Sequence, residues 1–227
     1  MPKERNWIIL IILVLTMVSW TPAPAATIMT RQTLIALDPG HGETDTGLIS
    51  RAGIQENQIT LELADMIAAE LSEGFQIRLT RPPEQSGPAE KKSPEQRAAF
   101  ANQNRANLFV SLHLHREKPG QAFIFYYGLA IPSEANQWQT QPLESQSASK
   151  RMAENTARHF KKLTHVRTLV YQAPVIALEG TLMPGIMIEP FSLTQVPRSE
   201  QAKKKFLQPY ARTIARAIEG QFINTQN

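Results

Sequence analysis

Short, continuously apolar runs that end in turn residues or in a histidine alternate along this chain with segments of helical period. That alternation limits the fold more than any other feature, because strands covered on both faces lose the usual in–out pattern. Residues 33–37 (TLIAL) are rich in strand formers and stop at Asp38-Pro39-Gly40, a strong turn. Ile59, Leu63, Ile67 and Leu71 then recur every four residues, with Leu61, Ala64 and Ala68 widening the helical stripe and Gly74 as its stop. Residues 75–80 (FQIRLT) read as the next strand, and 82–92 as a solvated loop. Ser93-Pro94-Glu95-Gln96 starts a helix that runs to about Arg105: serine caps, proline sits where no donor is needed, and Gln96 can reach back. Residues 108–112 (LFVSL) predict a buried strand running into His113, and 123–127 another. The spacing predicts a polar loop over 128–144, a charged helix over 145–163, short apolar strands at 175–176 and 186–188, and a closing helix over 199–223. The expected fold is α/β: a single domain with a mostly parallel twisted sheet flanked by helices on both faces.

Residues 1–26 (MPKERNWIILIILVLTMVSWTPAPAA) differ from the rest. Lys3 and Arg5 give a basic start, an apolar stretch follows, and Ala23-Pro24-Ala25-Ala26 supplies a small-residue cleavage site, the pattern of a secretory signal. The apolar residues 7–20 fall short of the ~20 that a helix needs to cross a bilayer. The expected division is therefore 1–25 as signal peptide and 26–227 as the folded domain. If uncleaved, the leader would act as a short anchor and attach the chain to the membrane. Export to the periplasm or cell envelope is expected either way.

The chain has no cysteine, which excludes disulfide scaffolds, thiolate metal sites and cysteine nucleophiles. A formal net charge of +4 suits approach to a polyanion but selects none. Lys161-Lys162 and Lys203-Lys204-Lys205 read as exposed helix faces, and the absence of a glycine-rich phosphate loop or nucleic-acid module gives no nucleic-acid partner.

Three candidates for chemistry sit at strand ends, where α/β folds collect ligands: His41 between Gly40 and Gly42, Glu56 at the start of the Ile59 helix, and His113. Two imidazoles and a carboxylate are a set that catalytic zinc uses, with its fourth position left to water. A separate carboxylate must then handle protons, and Glu189, delivered by 186–188, is the candidate. Taken singly, each has an ordinary role: a turn histidine, a helix N-terminal acid, a core histidine and a surface carboxylate. His115 shares the face of His113 on an extended strand, so it could touch substrate or serve as a spare ligand, but it reads first as a partly exposed loop residue. His159 and His165 read as surface residues.

The runs Leu37-Asp38-Pro39-Gly40-His41-Gly42, Gly53-Ile54-Gln55-Glu56-Asn57, Leu79-Thr80-Arg81, Phe109-Val110-Ser111-Leu112-His113 and Pro184-Gly185-Ile186-Met187-Ile188-Glu189 resemble, in order and spacing, the zinc-dependent N-acetylmuramoyl-L-alanine amidases of the bacterial cell wall. The resemblance covers about 33–223 and includes Arg97 and Asn102. It implies a zinc amidase catalytic domain over 26–227, with zinc on His41, Glu56 and His113 and Glu189 as acid/base. It implies peptidoglycan as partner and hydrolysis of the amide between N-acetylmuramic acid and L-alanine. Glu43, Leu114-His115 and Pro190-Phe191-Ser192 depart from the family pattern and are expected to line the site. Those departures motivate an alternative, an inactive wall-binding module; a zinc peptidase acting within the stem peptide is another. Some family members carry a plug helix withdrawn by a partner; 128–163 has room for one loop and one helix, so an open site with no identified activator is expected.

Overall fold

The computed structural model describes residues 32–42, 44–71, 73–81, 92–130 and 134–223. The leader reading over 1–25, the departure at Glu43 and all but Lys92 of the loop 82–92 lie outside them. Six strands form one sheet: β1 (Leu34–Pro39), β2 (Gln76–Leu79), β3 (Leu108–Leu112), β4 (Gln121–Tyr127), β5 (Arg167–Ala173) and β6 (Gly185–Glu189). Their order is β2-β1-β3-β6-β4-β5. Pairings are parallel except β4 against β6, so β4 and β5 run opposite to the other four strands. The sheet is mostly parallel, as expected.

Helices cover both faces. On one lie α1 (Glu56–Leu71), α4 (Gln146–Phe160) and α5 (Glu200–Ile223), packed on Ile35, Leu37, Val110, Leu112, Ile186 and Ile188. The stripe Ile59, Leu63, Ile67 and Leu71 is fully buried there, each side chain contributing about 1.5–3 kcal/mol. On the other face α2 (Pro94–Gln103) and the 3-10 turn Ile176–Leu178 cover a smaller core of Ala36, Phe109 and Met187. The start of α2 is the capping box expected from sequence: Gln96 N donates to Ser93 Oγ at 3.3 Å, and Ser93 N donates to Gln96 Oε1 at 2.8 Å.

Three segments differ from the sequence reading. β5 was not expected: it lies at the sheet edge, half exposed, so Arg167, Thr168 and Gln172 dilute its apolar signal. Val175-Ile176, expected as a strand, leads into a 3-10 turn that lies past the end of β5 and outside the sheet. The polar stretch after β4 contains a short helix α3 (Gln137–Thr140), capped by Asn136 and Gln139, and a 3-10 turn Gln141–Ser145.

β1, β3 and β6 are parallel neighbours, so their C-terminal ends share one edge of the sheet. Residues two apart on a strand share a face, and that puts Asp38, Ser111 and Glu189 on the α2 side with Ala36, Phe109 and Met187.

Candidate metal centre

The edge carries His41 just beyond β1, His113 just beyond β3 and Glu189 as the last residue of β6. Glu56 arrives from the other layer as the first residue of α1. The loop before it is closed by a bridge between Ile49 and Gln55 and by a bond from Glu56 N to Leu48 O at 2.8 Å.

Two glycines make the convergence possible. A Cβ at Gly40 would stand 2.5 Å from His113 Cε1, so the imidazole can lie over the end of β1 only because that side chain is missing. Gly47 has φ +64°, and a Cβ there would stand 2.5 Å from His41 Cδ2 and 2.7 Å from Glu56 Oε2. His41 itself has φ 64°, the left-handed region that a non-glycine residue enters at a cost, about 1–3 kcal/mol. Its surroundings hold it there. Arg97 Nη2 donates to its carbonyl oxygen, and its Nδ1 lies 2.9 Å from Asp45 Oδ2.

Glu56 Oε1 lies 3.1 Å from His41 Nε2 and 3.3 Å from His113 Nδ1. One ligand atom from each of the three residues lies within 4.8 Å of the others. Two ligands held ~2.0–2.1 Å from one ion at tetrahedral angles stand about 3.4 Å apart, so this donor set has the dimensions of a zinc site. Glu56 is almost fully buried, and its oxygens also accept from Leu48 N and Leu114 N, both at 2.9 Å. Burial alone would raise its carboxyl, but hydrogen bonds from His113, His41 and the two amides outweigh that and hold it well below the usual carboxylate range. The hydrogen bond to Glu56 raises His41 against the opposing effect of burial, and Asp45 adds to the rise.

Glu189 follows Ile188, whose carbonyl accepts from His113 N at 3.0 Å, so the two functional candidates stand at adjacent strand ends. Burial pushes the Glu189 carboxyl up to about 7; His113 opposes the rise, and the charges of Glu56 and Glu117 reinforce it. A carboxyl near neutrality beside a buried carboxylate suits proton transfer. The fold thus brings all four sequence candidates to one edge.

Behind them lies a buried network that sequence reading missed. Asp38 accepts from Arg97 Nη1 at 2.8 Å, Ser111 Oγ at 2.8 Å and Thr80 Oγ1 at 2.5 Å. Asn57 Nδ2 donates to Gly42 O at 2.8 Å, and Thr60 Oγ1 to Gly40 O at 3.0 Å, fastening α1 to the His41 loop. The available signal was Asp38, a carboxylate closing an otherwise apolar strand.

A cleft of about 500 Å³ opens over the centre. Its lining includes His41, Asp45, Lys92 and His113 together with an apolar wall of Val175, Ile176, Ala177 and Met187.

The described departures from the family pattern do not line this cleft. Leu114 and Phe191 belong to the main core, and Phe191 packs against Phe206 and Tyr210. Pro190 and Ser192 are buried as well. His115 is buried, not partly exposed: its Nε2 lies 3.1 Å from Gln121 O and its ring meets Phe123 edge-on. The strand pairing of β4 beside β6 covers it, which the position after His113 did not reveal. His159 is half-buried on α4 with Nδ1 3.0 Å from Asn155 O, and His165 is exposed.

Residues 35–220 match the profile of a family described as N-acetylmuramoyl-L-alanine amidase. The chain is 40% identical over 81 residues to the N-acetylmuramoyl-L-alanine amidase AmiA of Salmonella typhimurium, covering 35% of this chain and 26% of that protein. It is 29% identical over 218 residues to the probable N-acetylmuramoyl-L-alanine amidase AmiB of Haemophilus influenzae, covering 81% of this chain and 50% of that protein. It spans half or less of the length of these two relatives. Among solved structures, an N-acetylmuramoyl-L-alanine amidase from Clostridium difficile 630 shares the fold, with a TM-score of 0.67 at 24% identity over 86% of this chain and 99% of that one. With most of its length matched by one profile, this chain belongs to the N-acetylmuramoyl-L-alanine amidase family.

Proposed function

We propose that this chain is a zinc-dependent hydrolase that cuts the amide between the lactyl group of N-acetylmuramic acid and L-alanine in peptidoglycan. The observation that carries the reading is Glu56 Oε1 standing between His41 Nε2 and His113 Nδ1 at 3.1 and 3.3 Å, with Glu189 at the neighbouring strand end. His41, Glu56 and His113 would hold the ion. Bound there, zinc would acidify water to near neutrality and polarise the amide carbonyl.

Glu189 accepts the proton that the attacking water sheds and returns it to the leaving nitrogen of L-alanine. The C–N bond breaks, leaving a free carboxyl on the lactyl group and a free amine on the stem peptide. Glu56, buried and hydrogen-bonded from four sides, stays anionic while Glu189 changes its charge. The apolar wall of Val175, Ile176 and Ala177 gives the substrate's uncharged parts a surface to rest on.

The domain over 26–227, the signal peptide over 1–25 and a place in the periplasm or envelope belong to the same reading and rest on the leader's pattern alone. Among the described residues the cleft draws nothing of its lining from 128–163, which supports a site open without an activator. The inactive wall-binding reading drew on substitutions whose described side chains lie in the core, so its motive is weakened.

Purified protein incubated with zinc and defined muropeptides, followed by mass analysis of the products, tests the proposal. Free stem peptide and bare muramic acid are expected. Muramic acid still carrying alanine would reassign the chain as a stem-peptide peptidase, and no cleavage with stoichiometric zinc would return the wall-binding reading.

A further inference from the structure

One of the contacts that hold His41 comes from a residue that no motif reading assigned. The His41 backbone sits at φ 64° and its ring must present Nε2 toward Glu56. The other ring nitrogen, Nδ1, lies 2.9 Å from Asp45 Oδ2. Asp45 is itself anchored: its Oδ1 accepts from Gly47 N at 3.1 Å, and its carbonyl accepts from Gly42 N at 2.9 Å. The loop therefore folds back on itself, with Asp45 bonded to a residue on either side of it in the chain.

An imidazole that binds an ion through one nitrogen must carry its proton on the other, and a carboxylate fixed at that other nitrogen selects this tautomer. We propose that Asp45 is the positioning residue of the centre: it holds a proton of His41 on Nδ1 and so assigns Nε2, the nitrogen that meets Glu56, to the ion. It never touches the ion. Without it, the His41 ring would be free to rotate or to keep its remaining proton on Nε2 when the ion binds. The loop would also lose one of the contacts that hold it, with Arg97 on the His41 carbonyl, Asn57 on Gly42 and Thr60 on Gly40 left in place. Because the Asp45 side chain is 58% exposed, its charge alone is screened, and the geometry of the hydrogen bond carries the effect.

The inference rests on the proposed zinc site, and its test separates the two. Zinc affinity is measured by competition with a chromophoric chelator for the wild type, Asp45→Ala and Asp45→Asn. Asp45→Ala is expected to bind roughly 10- to 100-fold more weakly. Asp45→Asn is expected to lose less, because its single carbonyl oxygen can serve His41 or Gly47 but not both. In the zinc-loaded wild type, NMR is expected to show a slowly exchanging imidazole Nδ1 proton from His41, lost to solvent exchange in Asp45→Ala. Thermal unfolding of the metal-free proteins shows whether Asp45→Ala still folds; if it does not, the Asp45→Asn affinity and proton exchange carry the test. Equal affinities with an unchanged imidazole proton would overturn the role of Asp45 and leave the metal site intact. A change in KM alone, at unchanged affinity, would also overturn it and make Asp45 a substrate contact. No zinc binding by the wild type would instead sink the metal site itself.

Discussion

Arg97 and Asp38, 59 residues apart in sequence, meet at 2.8 Å beneath the candidate centre, with both side chains almost fully buried. The same guanidinium also donates to the carbonyls of Pro39, His41 and Lys92. A helix capped by Ser93 thereby sets the height of the His41 loop at the far end of β1. One buried pair links the fold to the site.

Removing one partner of that pair leaves the other charged and buried. Asp38→Ala is expected to cost about 3–5 kcal/mol in urea unfolding. Burial raises the Asp38 carboxyl, but Arg97, Thr80 and Ser111 outweigh it and the net shift is downward. A carboxyl depressed in the folded state contributes stability that is complete above its unfolded value, about 4, and is lost as pH falls through the folded one. The acid limb of the wild type's stability curve is therefore expected to be steeper than that of Asp38→Ala.

Glu189 has the opposite sign. Its carboxyl is raised to about 7 in the metal-free fold, so it favours folding while protonated and costs stability as pH rises from the ordinary carboxylate range to that value. Metal-free Glu189→Gln is expected to be more stable than wild type at pH 8, by on the order of 1–2 kcal/mol, and equal to it near pH 4. With zinc bound in both, amide hydrolysis is expected to fall at least ~100-fold. A variant that cleaves normally would remove Glu189 from the mechanism.

The pH profile of hydrolysis follows from the same group. A base must be deprotonated to act, and the ion's charge would favour the carboxylate form. The acid limb of kcat/KM is expected between the ordinary carboxylate range and about 7, and Glu189→Gln is expected to lose it.

Gly47 and Gly53 form a matched pair for separating backbone strain from crowding. Both have positive φ, 64° and 79°, but a Cβ at Gly53 would meet nothing within 4 Å, whereas one at Gly47 would strike His41 and Glu56. Gly53→Ala is expected to lose about 1 kcal/mol and keep its zinc affinity. Gly47→Ala is expected to weaken zinc binding more than tenfold in the same chelator competition.

Ile176 projects into solvent on the apolar wall of the cleft, 61% exposed. Ile176→Asn is expected to change stability by no more than ~0.5 kcal/mol. If the wall holds substrate, steady-state kinetics on a muropeptide will show a raised KM at nearly constant kcat.

Most of the architecture could be read from residue spacing alone. The stripe Ile59, Leu63, Ile67 and Leu71, the cap at Ser93 and the apolar run 108–112 each express a local rule, and each became the expected element. β5 escaped because an edge strand is half solvated and need not be apolar, and its identity comes from pairing with β4 over its whole length. The inward turn of Leu114, His115 and Phe191 escaped for a related reason, since packing by β4 and α5 buries them.

For the centre, the chain's order of residues specified the chemical types: two imidazoles after glycine turns or strands, one acid at a helix start and another at a strand end. What the linear order does not contain is distance. Parallel pairing of β1, β3 and β6 brings residues 41, 113 and 189 to one edge, and α1 delivers Glu56 from the opposite layer. The supporting contacts through Asp38 and Arg97 exist only after that closure, because hydrogen bonds between residues remote in sequence depend on how the layers stack.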